Sequence, residues 1–204
     1  MKTIFLAIFV KVKIHAKPMY ISTKRIIQFI FIMLIISVNA QSQIVDKKMS
    51  VGFRTAQNRS IDVLIIHSVF NNSGGDFYDI DLIIKQFSKY GVSSHYLIGC
   101  DGVIYRLVDE NNVAYHAGKS SLPDGRTAVN SCSLGIELVC SFTESVTEMQ
   151  LESLVKLTKD LQARYKLKYI LRHSDIAPDR KTDPWNFDWE HFNQILEINT
   201  KQLK

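Results

Sequence analysis

Acidic side chains are absent from the first forty residues, although Lys2, Lys11, Lys13, Lys17, Lys24 and Arg25 all fall there. A one-signed stretch of this kind reads as an address, not as part of a folded surface. Its apolar run, from Ile26 to Val38, is shorter than the ~20 residues that cross a bilayer and ends in polar residues, which argues against a retained membrane anchor. No cysteine follows the run at a lipidation-type position, so a lipoprotein is not indicated. The Lys24-Arg25 pair precedes it, and Val38-Asn39-Ala40 supplies the small-x-small pattern that signal peptidase accepts. A signal peptide over 1–40, cut at Ala40/Gln41, is therefore expected, with Met19 as an alternative start. The expected location is the periplasm or the external medium.

A charge excess is missing from the remainder. Removing the first forty residues takes six of the 25 Lys and Arg and none of the 20 Asp and Glu, which leaves 19 basic against 20 acidic residues, a formal charge of −1. The basic isoelectric point belongs to the export signal, and nothing in 41–204 argues for nucleic acid. Internal repeats and low-complexity tracts are absent as well, and the length suits one domain with a proper core. Cysteines are few and odd in number: Cys100, Cys132 and Cys140. If Cys132 and Cys140 flank one strand they stand about 26 Å apart, beyond any disulfide. Cys100 with Cys140, or three buried thiols, both stay open.

What is present is a regular alternation. Residues 41–60 are polar and read as a leader. Ile61-Asp-Val-Leu-Ile-Ile-His67 is β-branched and apolar on both faces, which marks a central strand ending on a histidine. Segment 76–90 repeats Ile80, Ile83, Ile84 and Phe87 at helical spacing and stops at Gly91. Residues 95–99 and 103–107 flank Asp101-Gly102 and predict a hairpin, since Gly supplies the positive φ that a tight turn needs. A long polar loop, 117–132, precedes a strand over 133–140. Thr147-x-x-Gln150 is a capping box for a helix reaching about Tyr165. A strand over 168–171 delivers His173, and a last helix begins near Asp188. The implied class is α/β, a single domain with a central mixed β-sheet flanked by helices.

Several residues on this frame carry metal or acid–base chemistry. His67 stands at a strand end, where an α/β sheet places its ligand crevice. Segment 172–184 holds His173 and Asp183, and Pro178 prevents it from being one continuous helix. A loop of this kind can turn both side chains towards one ion, or can simply be solvated, because no His-Glu-x-x-His zinc signature is present. Glu137 lies on the face of its strand opposite Leu134, Ile136 and Leu138. A carboxylate on a central strand is either one half of a salt bridge or a general base whose pKa burial raises. Gly135 beside it would let a substrate approach the backbone. Lys181 can stabilise an oxyanion or be an ordinary surface lysine. His95 and His191 are expected to be structural.

Taken in order, Ile65-Ile-His-Ser68, Val92-Ser-Ser-His-Tyr-Leu-Ile98, Ala114-Tyr-His-Ala-Gly118, Asn130 with Ser133-Leu-Gly-Ile-Glu-Leu138, and Arg172-His-Ser-Asp-Ile-Ala-Pro178 with Arg180-Lys-Thr-Asp-Pro184 resemble the type 2 N-acetylmuramoyl-L-alanine amidase family. The resemblance runs from about Ile61 to Trp189. It implies a catalytic domain over 61–198 with a short tail, 199–204, and a zinc cleft at the strand ends holding one Zn2+ on His67, His173 and Asp183. It also implies Glu137 and Lys181 as catalytic groups, and His116 and Asn130 as substrate contacts. Some members carry a catalytic tyrosine where this chain has Ser94. The branch similar to the anhydro-muropeptide amidases uses the strand glutamate instead, and Asp183 as third ligand fits that branch.

The activity so implied is hydrolysis of the amide between N-acetylmuramic acid and L-alanine in peptidoglycan or muropeptides, by direct attack of a metal-activated water. The implied partner is that substrate alone, with no nucleic acid, no membrane span after cleavage, and a monomeric state. The rival from another class is a non-catalytic peptidoglycan-recognition module of the same fold, which typically lacks a ligand or a catalytic group.

Overall fold

The computed structural model describes residues 44–201, with side chains to 197. The expected signal over 1–40, the alternative start at Met19 and the end of the expected tail lie outside the described residues. In chain order the elements are β1 (Ile44–Asp46), β2 (Phe53–Arg54), β3 (Val63–Val69), α1 (Ile80–Tyr90), β4 (Tyr96–Ile98), β5 (Ile104–Arg106), β6 (Val113–Ala114), α2 (Val129–Cys132), β7 (Ser133–Val139), α3 (Glu148–Arg164), β8 (Tyr169–Arg172), α4 (His173–Ile176) and α5 (Trp189–Lys201). None of the described helices is long and apolar enough to cross a membrane.

Every residue of β3 and β7 is buried, as expected of parallel strands covered on both faces. They are neighbours in a six-stranded sheet of order β1-β5-β4-β7-β3-β8. The β4–β5 hairpin is antiparallel, whereas the other pairings are parallel, so the sheet is mixed. β2 and β6 form a separate antiparallel pair.

Alternation along the strands sorts side chains to two faces. On one, Leu64, Ile66, Leu134, Ile136 and Leu138 pack against Leu154, Leu157 and Leu161 of α3 and Phe192 and Leu196 of α5. The other face carries two apolar clusters. Val69, Leu97 and Val139 meet Ile83 and Phe87 of α1, while Val63 and Ile65 meet Leu122, Val129 and Ile176. Between Ile65 and Val69 on that face stands His67, and between Gly135 and Val139 stands Glu137. The polar site thus fills the gap between two halves of a core.

Local signals set the element ends. Asp79 caps α1 by accepting from the Leu82 N–H at 2.9 Å, and Gly91 closes it at φ 65°. Gly102, at φ 77°, turns the hairpin. The Thr147 hydroxyl accepts from Gln150 N–H at 3.1 Å and the Gln150 side chain accepts from Thr147 N–H at 3.0 Å, completing the capping box. The Gln150 amide also donates to Ile98 and Val139 carbonyls at 3.1 and 2.9 Å, tying the start of α3 to the ends of β4 and β7.

Two expectations change, and one pair of open alternatives is decided. Residues 44–54 are not a leader: β1 is an edge strand on β5, with Asp46 paired to Arg106 at 2.7 Å. Its polarity follows from having one strand partner and one exposed side. The loop 117–132 is not wholly polar in placement, because Leu122 and Val129 are buried and it ends in α2. All three cysteines are free thiols, and Cys140 Sγ donates to Ser68 Oγ at 3.2 Å instead of pairing with Cys100.

Candidate metal and catalytic site

The parallel register of β3 and β7 sets His67 directly beside Glu137. Pairing of β8 with β3 matches Arg172 to Ile66, which brings His173, the first residue of α4, to the same end of the sheet. The chain then folds back after Ala177, whose carbonyl accepts from the N–H groups of Arg180 and Lys181 at 3.0 and 2.9 Å. Ser174 N–H holds the Asp183 carbonyl at 3.0 Å, and Trp185 N–H donates to Ser68 Oγ at 3.2 Å. These bonds give the irregular segment a fixed course and turn Asp183 inward.

The ligand atoms of His67, His173 and Asp183 lie within 4.8 Å of one another, and all three residues are buried. Asp183 Oδ2 is 3.0 Å from His173 Nδ1 and 3.5 Å from His67 Nδ1. Burial pushes the His67 imidazole down to about 4, against the opposing pull of Asp183, so it is neutral at pH 7. Burial would raise the Asp183 carboxyl, but its close contacts with the His173 and His67 rings outweigh it and hold the group well below the usual carboxylate range. A neutral imidazole and an ionised carboxylate are the forms that bind a metal. Two nitrogens and one oxygen converging on one point are a donor set suited to a catalytic zinc, which takes three protein ligands and keeps a position open.

Glu137 is 8% exposed, and its carboxyl accepts no hydrogen bond from any described residue. Burial, followed by repulsion from Asp183, raises its pKa well above the ordinary value, and attraction to Lys181 opposes this. His67, Glu137, His173, Lys181 and Asp183 all line one cleft of about 350 Å³. The residues expected as ligands and catalytic groups are thus brought together.

His116 and Asn130 line the same cleft, but both His116 ring nitrogens and Asn130 Oδ1 already have partners. His116 Nδ1 faces His67 Nε2 at 3.0 Å and its Nε2 faces Ser133 Oγ at 3.1 Å. Asn130 Oδ1 accepts from the N–H groups of His116 and Ala117 at 3.2 and 2.8 Å. Gly135 does not open room for a substrate: a Cβ there would meet His116 Cγ and Ser94 Oγ, both at 2.7 Å. Its missing side chain is filled by protein. Ser94 is fully buried and its hydroxyl has no hydrogen-bond partner among the described residues. His95 is structural, its Nδ1 accepting from Gly135 N–H at 3.0 Å, whereas His191 lies on the exposed side of α5.

Sequence reasoning missed Arg180 and Trp185 as cleft residues. Arg180 donates to the Ala117 and Lys119 carbonyls at 3.2 and 2.6 Å, and so clamps the loop that carries His116. Its position in a charged run concealed that role. Trp185 packs on Phe142 with ring centroids 4.3 Å apart, and its adjacency to Pro184 was the available signal.

With this geometry in place, the chain is assigned by comparison. It belongs to the Amidase_2 family of N-acetylmuramoyl-L-alanine amidases, which residues 57–186 match. It is similar to the 1,6-anhydro-N-acetylmuramyl-L-alanine amidase AmpD of Enterobacter cloacae, at 40% identity over 125 residues, 60% of this chain and 66% of that protein. The chain therefore spans just under two thirds of the length of that relative. A crystal structure of a selenomethionine derivative of AmpD aligns with TM-score 0.65 and 28% identity, covering 76% of this chain and 95% of that one. The Escherichia coli N-acetylmuramyl-L-alanine amidase AmiD, in complex with its substrate anhydro-N-acetylmuramic acid-L-Ala-D-gamma-Glu-L-Lys, aligns with TM-score 0.59 and 33% identity, covering 69% of this chain and 60% of that one.

Proposed function

We propose that this protein is a zinc-dependent N-acetylmuramoyl-L-alanine amidase that hydrolyses the amide joining the lactyl group of N-acetylmuramic acid to L-alanine. The observation that carries this reading is the convergence of His67, His173 and Asp183 beside a buried carboxyl that no other side chain occupies. When bound, the zinc ion supplies Lewis acidity: it polarises the scissile carbonyl, acidifies the attacking water, and by its charge favours the ionised form of Glu137.

The chain's own groups do the rest. Glu137 accepts the proton of the attacking water and delivers it to the departing L-alanine amine. Lys181, on the same cleft wall, offsets the negative charge that develops on the carbonyl oxygen. The free Nδ2 of Asn130 is available to a substrate carbonyl. Apolar walls from Val69 and Phe87 limit access of bulk water, which strengthens each of these charge interactions.

The same proposal places the enzyme outside the cytoplasm, on the strength of the Lys24-to-Ala40 pattern, where it would meet wall strands or released fragments. The test is to purify the protein, measure its zinc content, and incubate it with intact sacculi and with anhydro-muropeptides. The expected outcome is one zinc per chain and release of L-alanyl peptides, followed by mass spectrometry. A protein that holds zinc and leaves both substrates intact would be a recognition module instead. Cell fractionation decides the export claim independently.

A further inference from the structure

The candidate metal ligands of this chain are two histidines and an aspartate, and each histidine has a second ring nitrogen that points away from the carboxylate. Where those two nitrogens go is set by one dipeptide. His67 Nε2 is 3.0 Å from His116 Nδ1, and His173 Nε2 is 3.4 Å from the carbonyl of Ala117. Both N–H groups of that dipeptide are gathered by the single oxygen of Asn130.

The proton positions follow from one fixed end. Ser133 Oγ lies 2.7 Å from the Val129 carbonyl, which can only accept, so the hydroxyl proton is committed there. Ser133 Oγ must then accept from His116 Nε2–H, at 3.1 Å. A neutral His116 consequently has its lone pair on Nδ1, and His67 must donate from Nε2–H. That leaves the lone pair of His67 on Nδ1, the nitrogen that faces Asp183. On the other side, the Ala117 carbonyl can only accept, so His173 also donates from Nε2 and keeps its Nδ1 lone pair towards Asp183. The reverse arrangement, with His67 Nδ1–H given to Asp183, takes the Ser133 proton away from the Val129 carbonyl.

We infer that His116 is a positioning residue for the metal, and that the His116–Ala117 segment, pinned by Asn130, fixes the tautomer and orientation of both histidine ligands through their distal nitrogens. This rests on reading His67, His173 and Asp183 as the metal ligands. It replaces the expectation that His116 contacts substrate: both of its ring nitrogens are already engaged, and Gly135 is small because the His116 ring occupies the space above it. Partners of this kind that hold a ligating histidine typically account for roughly 10- to 100-fold in metal affinity.

The experiment measures zinc affinity of the full chain by competition with a chromogenic chelator, alongside two-dimensional 15N NMR of the histidine rings. For the wild type with zinc, His67 is expected as the Nε2–H tautomer. His116→Ala is expected to weaken zinc by roughly 10- to 100-fold and to broaden or shift that tautomer signal. His116→Asn, whose Oδ1 can take the place of the Nδ1 acceptor, is expected to recover part of the loss. Asn130→Ala is expected to weaken zinc as well, since it releases both N–H groups. Circular dichroism of the metal-free variants separates these effects from unfolding. If His116→Ala binds zinc within twofold of the wild type, or if wild-type His67 carries its proton on Nδ1 with zinc bound, the inference is overturned while the metal site stands. A wild type that binds no zinc overturns the metal site first and this inference with it.

Discussion

Glu110 and Glu137 are both largely withdrawn from solvent, and their surroundings treat them in opposite ways. Glu110 accepts from the Tyr96 hydroxyl, from Tyr165 at 2.6 Å and from both terminal nitrogens of Arg164, one at 2.8 Å. Burial alone would raise its pKa, but these hydrogen bonds outweigh it and bring the group down to about 2. Among the described residues the Glu137 carboxyl has no hydrogen-bond donor, and burial raises its pKa. Burial therefore does not distinguish a structural carboxylate from a reactive one. The donors around it do, because a fully bonded carboxylate has no lone pair left for a substrate proton.

The sharpest way to break this contrast is Glu137→Gln. The amide keeps the shape and removes the base, so turnover is expected to fall by about 10²- to 10⁴-fold, with zinc content unchanged and thermal stability equal or slightly higher. Muropeptide hydrolysis at full rate in this variant would show that the unbonded carboxyl is not the proton acceptor. Glu110→Gln is expected to do the reverse, leaving turnover per folded molecule intact while lowering stability by roughly 1–3 kcal/mol, a figure kept modest because Arg164 is partly exposed. Urea denaturation monitored by circular dichroism measures it.

The pH dependence sharpens the same point. Glu110 goes from 4.5 in the unfolded chain to about 2 when folded, so its contribution is fully present above pH 4.5 and is lost as pH falls from there through about 2. Melting temperature should decline across that interval in the wild type and decline less steeply in Glu110→Gln. An identical slope in both would mean that Glu110 is not a source of acid sensitivity. The smallest effect belongs to Tyr165→Phe, which removes one of several donors to Glu110 and should cost about 1 kcal/mol in the same urea experiment.

How legible these features were depends on the range of the interactions behind them. Strand β3 was visible as a β-branched run apolar on both faces and ending on His67, β7 by its Leu134, Ile136 and Leu138 sharing one face, and the Thr147 capping box and Gly91 stop are chemistry within one helical turn. His67 and Glu137 stood out because polar residues on central strands are costly. His173 and Asp183 needed the ordered family motifs, since the turn that brings them together is made by backbone bonds from Ala177 and Ser174 that spacing does not reveal. Glu110 escaped notice entirely: its partners Arg164 and Tyr165 lie 54 and 55 positions away, and in sequence it is one acidic residue in a polar turn. The same limit hid β1, whose pairing with β5 spans a similar distance, and the ring orientation of His116, on which its role depends.

One rung of the sheet governs how the protein fails. His67 and Glu137 are cross-strand neighbours in register, so the proposed ligand and the proposed base are joined by the ladder itself and not by a loop that can drift. A slip of one residue would turn one of them to the opposite face and separate the pair outright. Gradual loosening therefore has little room to produce a half-working enzyme. Heating should leave the pair intact until the central strands part, and inactivation and melting are then a single event.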